Sequence, residues 1–294
     1  MIKTSDMMDL LESMYPVRDE VIPCFIGEPG IGKTQRVHEF AKRHGVKVVT
    51  FILSHALPSE VSGIRMPDLE HDELRVLDDA KMASLEDGDI LFFDEILEAP
   101  QQLWSAVLTL LQDRVLASGK KLPNVMIIAA SNKSATPKQI PPSTRDRFVW
   151  IDLKFDYEGW REWFDQKFGV MPPDNLRAEL FKENGYNILT PRKFTKLYAW
   201  CEANGWGGVS RKVVRDEFGM MVYEMLLVTK NNRSDKRQLI DAINEMGMAP
   251  ELPADWEMLS LEELCKTLME SPYWEQIAAE LMKIGKEDEY ARTR

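Results

Sequence analysis

Residues 27–34 read Gly27-Glu28-Pro29-Gly30-Ile31-Gly32-Lys33-Thr34, a glycine-rich loop that ends in Gly-Lys-Thr, follows the apolar run Val21 to Ile26 and opens a helical pattern. The types and spacing suit a cradle for the phosphates of a nucleoside triphosphate. Glycines let backbone N–H groups turn inward on an anion, and the start of a helix adds positive potential. Lys33 can reach the terminal phosphates, and Thr34 offers a hydroxyl to magnesium. Glu28, Pro29, Gly30, Ile31, Gly32, Lys33 and Thr34 are therefore the expected nucleotide-binding residues, with ATP and Mg2+ as the ligands.

Four further places carry chemistry of the same kind. Ile90-Leu91-Phe92-Phe93-Asp94-Glu95 is an apolar run that delivers two adjacent carboxylates at its end, an arrangement costly unless a cation or a reaction uses them. Asp94 is expected to hold magnesium with Thr34, and Glu95 to act as the general base on the attacking water. Ile127-Ile128-Ala129-Ala130-Ser131-Asn132 ends another apolar run in an amide that can donate and accept at once, so Asn132 can fix both the water and a phosphate oxygen. Arg145 and Arg147 stand just before a fifth apolar run. Either can form a surface ion pair or reach a neighbouring subunit's nucleotide, and Arg147 is the preferred candidate for the second role. Thr190-Pro191-Arg192-Lys193 marks a helix start, with Thr190 as N-cap and Pro191 first. Arg192 then sits in a first turn whose dipole disfavours a cation, a conflict that an anion such as a γ-phosphate removes.

Positioning these groups takes a sheet. Apolar runs without strict alternation recur at 21–26, 47–53, 89–93, 124–130 and 148–153, as expected of parallel strands covered on both faces. Helical patterns lie at Met7 to Met14, after the N-cap candidates Thr4, Ser5 and Asp6, and at Lys33 to about Arg43 and Pro100 to about Leu116. The sequence therefore predicts an α/β, three-layer P-loop NTPase core with a parallel five-stranded sheet and its ligand at the carboxyl ends of the strands. Beyond residue 153 the pattern turns helical and aromatic, with no convincing strand. Ser210 opens a long periodic stretch through Val213, Val214, Phe218, Met221, Met225 and Val228, and Ser260 with Glu263 suggests a capping box. The expected domains are 1–153, 154–230 and 231–294.

Composition narrows the class. The 294 residues and 44% hydrophobic content are enough for real cores, and the net charge of −11, with acids outnumbering bases in both halves, counts against non-specific nucleic-acid binding. Cys24, Cys201 and Cys265 are far apart and form no Cys-x-x-Cys pair, which fits buried free thiols in a reducing compartment. No leader pattern or long apolar run is present, so the expectation is a cytoplasmic protein that does not enter a membrane.

The elements Gly27 to Thr34, Asp94-Glu95, Asn132, Arg147 and Arg192, in this order, resemble the Walker A, Walker B, sensor 1, arginine finger and sensor 2 of an AAA+ ATPase, over roughly residues 1–230. Within that superfamily the sequence is similar to the MoxR group. Leu57-Pro58-Ser59-Glu60-Val61-Ser62-Gly63, followed by a hairpin-like insert from Ile64 to Leu77, resembles the group's helix-2 insertion. Ile140-Pro141 leading to Asp146-Arg147-Phe148, and Thr190-Pro191-Arg192, resemble it too. The resemblance implies a sheet order of 5-1-4-3-2, an all-helical lid, and a hexameric ring with ATP at subunit interfaces. It also implies a remodelling or chaperone role, often with a partner bearing a von Willebrand factor A domain. The lead-in is short, the lid before Arg192 is abbreviated, and the helices from about Arg233 to Arg294 extend beyond the family's lid. Two readings of the insert stay open: a pore-lining element gripping substrate through Ile64, Arg65 and Met66, or a solvated loop rich in Asp68, Glu70, Asp72 and Glu73. Two alternatives to the remodeller also remain, a nucleotide-gated adaptor whose ATP state is the signal and a ring acting on DNA.

Overall fold

The computed structural model describes residues 2–69, 71–133, 140–184, 187–204, 206, 208–231, 235–248, 252–253 and 261–283. The chain divides into two units, Met1–Asp156 and Tyr157–Arg294.

In chain order the first unit runs β1 (Ile2–Lys3), α1 (Met7–Met14), β2 (Pro23–Gly27), α2 (Lys33–His44), β3 (Val48–Ile52), α3 (Pro58–Ser62), β4 (Ile64–Asp68), β5 (Glu73–Leu77), α4 (Ala80–Ala83), β6 (Ile90–Asp94), α5 (Trp104–Asp113), β7 (Met126–Asn132), α6 (Pro142–Arg145) and β8 (Val149–Lys154). Six strands pair in parallel in the order β1-β8-β2-β7-β6-β3. The sequence predicts five. The sixth is the two-residue β1, set against Leu153 and Lys154 at the sheet edge and too short to show any periodicity. Without it the order is the 5-1-4-3-2 that the resemblance implies.

The apolar runs explain the placement. Every residue from Ile90 to Phe93 and from Met126 to Ala130 is fully buried, so the two central strands have protein on both faces. Each such Phe, Ile or Leu stabilises the sheet by roughly 1.5–3 kcal/mol relative to exposure. Helix α5 is shorter than the predicted 100–116. Arg114 adopts a left-handed φ of 52° at its end, and its guanidinium donates to the carbonyls of Val125, Arg18 and Asp19. Leu116 consequently lies in the turn beyond the helix. Strands β4 and β5 form an antiparallel hairpin with Ile64 opposite Leu77, and most of their side chains are exposed.

The second unit contains α7 (Tyr157–Phe168), β9 (Glu183–Asn184), β10 (Asn187–Ile188), α8 (Pro191–Ala203), α9 (Gly208–Phe218), α10 (Met220–Asn231), α11 (Asp235–Glu245), α12 (Leu261–Leu268) and α13 (Trp274–Lys283). The antiparallel pair β9/β10 corrects the expectation of no strand here: two residues per strand leave no pattern to read. The long stretch from Ser210 is two helices, because Gly219, with φ of 89°, breaks it. The Ser260–Glu263 capping box lies outside the described residues. Phe164, Phe168, Phe194 and Tyr198 pack ring against ring, while Leu239, Ile240, Ile243, Leu264, Cys265, Leu268 and Ile277 form a separate core joining α11, α12 and α13. All three cysteines are buried free thiols, and burial pushes the Cys24 and Cys201 thiols up, away from reactivity. Among the described residues no helix is long and apolar enough to cross a membrane.

Candidate nucleotide site

The site is built at the carboxyl ends of adjacent strands. Register pairs Gly27 of β2 with Asn132 of β7, Phe93 of β6 with Ala129 of β7, and Ile52 of β3 with Asp94 of β6, which brings four strand ends to one edge of the sheet. The loop leaving β2 turns there into α2. Gly27 has no room for a side chain, since a Cβ would stand 3.1 Å from the Leu153 carbonyl oxygen and 2.7 Å from Ile31 Cδ1. Gly32 is a glycine for another reason: its φ of 99° is left-handed, and the space where a Cβ would be is open. Open space ahead of a helix N-terminus that has no side-chain cap fits an anion.

Lys33 is buried and folds back over this loop. Its Nζ donates to the carbonyls of Gly27 and Glu28 and to Oδ1 of Asn132, each at 2.9 Å. Three oxygens thus gather around one ammonium where phosphate oxygens are to be recognised. Beside it, Thr34 Oγ1 donates to Asp94 Oδ2 at 2.9 Å, while Asp94 Oδ1 accepts from the Glu95 amide at 2.9 Å. A hydroxyl and a carboxylate side by side form the hard oxygen donor set that suits magnesium. Among the described residues no group of three or more His, Cys, Asp or Glu side chains could hold a metal alone. A magnesium ion here would share its coordination with substrate phosphates, as this ion commonly does.

Glu95 holds a left-handed φ of 57°, unusual for a residue with a side chain. Its carboxylate accepts a hydrogen bond from the hydroxyl of Ser54, just past the end of β3. The following turn is tied down by Ser131 Oγ, which accepts from the Leu97 amide at 3.3 Å. Neither Ser54 nor Ser131 was legible as a functional residue, because a serine after a strand has no distinguishing spacing.

The structure brings Lys33, Thr34, Asp94, Glu95 and Asn132 together and places Arg145 and Arg147 at the other end of the sheet. Val149 is aligned with Pro23, so β8 starts level with the beginning of β2, at the end of the sheet opposite the glycine-rich loop. Arg145 and Arg147 are exposed on that far side, and Arg147 Nη2 donates to Oε1 of Gln112 at 3.2 Å. Arg192 belongs to the second unit. It is exposed in the first turn of α8, where Thr190 accepts from the Lys193 amide at 3.1 Å and Pro191 takes the first position, as the sequence predicts.

This parallel sheet, with a glycine-rich loop feeding a helix from β2 and carboxylates at the end of β6, one strand removed across β7, is the architecture of a P-loop nucleotide-binding domain. Residues 23–148 match the AAA domain family, dynein-related subfamily, and the fold is that of an AAA+ P-loop NTPase followed by a helical C-terminal region.

No curated protein matches the chain. Among solved structures, a candidate ATPase from Cytophaga hutchinsonii is 18% identical, with a TM-score of 0.40; the match covers 67% of this chain and 59% of that one. A RuvB variant from Thermotoga maritima is 15% identical over 97% of this chain and 88% of its own, with a TM-score of 0.47. A second RuvB variant from that organism is 15% identical over 96% and 83%, with a TM-score of 0.43.

Proposed function

We propose that the chain is a MoxR-like AAA+ ATPase, which hydrolyses ATP in an oligomeric ring and uses the cycle to remodel or activate a protein partner. The observation that carries this reading is the meeting of Lys33, Thr34, Asp94, Glu95 and Asn132 at adjoining strand ends. In this assignment residues 28–34 wrap the phosphates, and Lys33 exchanges its carbonyl partners for phosphate oxygens. Thr34 and Asp94 hold magnesium, which supplies charge neutralisation on the triphosphate. Glu95 accepts a proton from the attacking water, and Asn132 orients that water.

Arg147 is assigned to the neighbouring subunit's nucleotide, because strand register separates it from its own loop. Arg145 is the reserve candidate for that role. Arg192, a cation in a helix first turn, is assigned to sensing the γ-phosphate. Residues 154–230 serve as the lid and 231–294 as an extension. The exposed Ile64 and Met66 of the hairpin, with Arg65, are assigned to contact with a protein substrate in the pore. A hexamer and a partner with a von Willebrand factor A domain follow from the MoxR resemblance, and a cytoplasmic location is a separate part of the proposal.

The test is ATP turnover per subunit across a protein-concentration series, with mass followed by light scattering. Specific activity rising with assembly supports the shared-site ring. Activity independent of concentration contradicts it.

A further inference from the structure

Arg147 is held at both backbone ends. Thr144 and Phe148 on either side are buried, the Arg147 amide donates to the Thr144 carbonyl at 3.1 Å, and the Trp150 indole donates to the Arg145 carbonyl at 2.8 Å. Its long side chain projects from this fixed base into solvent. Left alone, such a side chain samples many rotamers and loses that freedom on docking.

Helix α5 supplies the restraint. It connects parallel strands β6 and β7, so it must run back across the sheet and end at the strands' amino edge, where α6 and the start of β8 also lie. Gln112 stands in its last turn, and its Oε1 accepts from Arg147 Nη2. We infer that Gln112 is a positioning residue, which holds the Arg147 guanidinium extended toward the neighbouring subunit's nucleotide. The inference rests on the assignment of Arg147 as the residue acting between subunits.

The chemistry of an amide suits the task. One of the five guanidinium N–H groups is spent on Gln112, leaving four for a bidentate grip on phosphate. The acceptor is neutral, so the cation keeps its full charge for the transition state. A carboxylate at position 112 would hold the arginine more strongly and oppose its use, since it would compete with phosphate for the same cation.

The test compares Gln112→Met, Gln112→Glu and Arg147→Ala in the full chain, reading kcat, KM for ATP and assembled mass. Methionine matches glutamine in length and helix propensity and lacks the acceptor. Gln112→Met is expected to lower kcat about fivefold, the scale of one pre-ordered side chain, with KM and mass unchanged. Gln112→Glu is expected to lower it further, and neither change is expected to matter once Arg147 is alanine. A purely structural role for Gln112 predicts instead that glutamate rescues. Wild-type kcat in Gln112→Met, or rescue by Gln112→Glu, while Arg147→Ala is inactive overturns the inference and leaves the arginine's assignment intact. Wild-type turnover in Arg147→Ala overturns that assignment itself.

Discussion

The separation between Arg147 and its own phosphate loop makes a quantitative prediction about mixtures. Strand β2 spans Pro23–Gly27, and four steps of about 3.3 Å put its ends about 13 Å apart. Val149 is level with Pro23, and Arg147 lies two residues farther back, so the guanidinium is beyond reach of a nucleotide held past Gly27 on the same subunit. In the proposed ring each productive site would need Lys33 from one subunit and Arg147 from the next. Lys33→Ala and Arg147→Ala should each be nearly inactive alone. Mixed one to one and reassembled at random, a site is complete when its nucleotide-holding subunit carries Lys33 and its neighbour carries Arg147. Each condition holds half the time, so about one quarter of interfaces should be rebuilt, and turnover should recover to about a quarter of wild type. The assay is steady-state phosphate release after co-dilution from a dissociated state, with mass followed in parallel. Mixtures that assemble and stay inactive would refute the reasoning, because they would mean that both residues serve one site within a single subunit.

Other expectations follow from particular contacts. Gly63 has φ of 70° and ψ of 175°, and an added Cβ would lie 2.8 Å from the Leu77 carbonyl, Val76 Cγ1 and Ala117 Cβ. Gly63→Ala should therefore cost about 2–6 kcal/mol at the hairpin base from backbone strain plus overpacking. Gly45→Ala, left-handed with nothing within 4 Å, should cost about 1–2 kcal/mol. Hydrogen exchange at 64–77 and urea midpoints compare them, and equal costs would refute the difference. Ser54→Ala should lower turnover several-fold with ATP affinity unchanged, because Glu95 loses the hydroxyl that holds it; isotherms beside kcat check this. Tyr157 is pushed up to about 12 by burial, and its hydroxyl donates to the Pro173 carbonyl at 2.6 Å. Between pH 10 and 12 the unfolded chain has lost this proton and the folded chain keeps it, so its contribution is full below pH 10 and falls as pH rises through 12. Tyr157→Phe should flatten that part of an alkaline unfolding curve, and an unchanged slope would count against the shift.

What the sequence made legible follows from how local each signal is. The phosphate loop and the Asp94-Glu95 pair combine a strand end with residue types that strand ends rarely need, whereas Asn132 is ordinary at a strand end and stood out only by its place in the order of elements. Together they marked the candidate site before any contact was visible. The hairpin at 64–77 was legible through the resemblance of Leu57 to Gly63 and the insert that follows to a helix-2 insertion, and the structure pairs Ile64 with Leu77. Two-residue strands such as Ile2–Lys3 and Glu183–Asn184 are set by tertiary pairing and leave no period. The end of α5 was misjudged because Arg114 uses a left-handed backbone to reach three distant carbonyls, which no neighbouring residue announces. Ser54 and Gln112 became visible only when the chain brought them to Glu95 and Arg147, since a serine or a glutamine is ordinary wherever it stands alone.

The most direct test of the account is hydrolysis by Glu95→Gln beside wild type, with nucleotide affinity measured on the same preparations. Glutamine keeps the shape and can still bond Ser54, but it cannot take a proton from water. The account predicts unchanged ATP binding and turnover reduced at least a hundredfold, the scale of a lost general base. Wild-type turnover in that variant would contradict the assignment of the base and, with it, the proposed catalytic site.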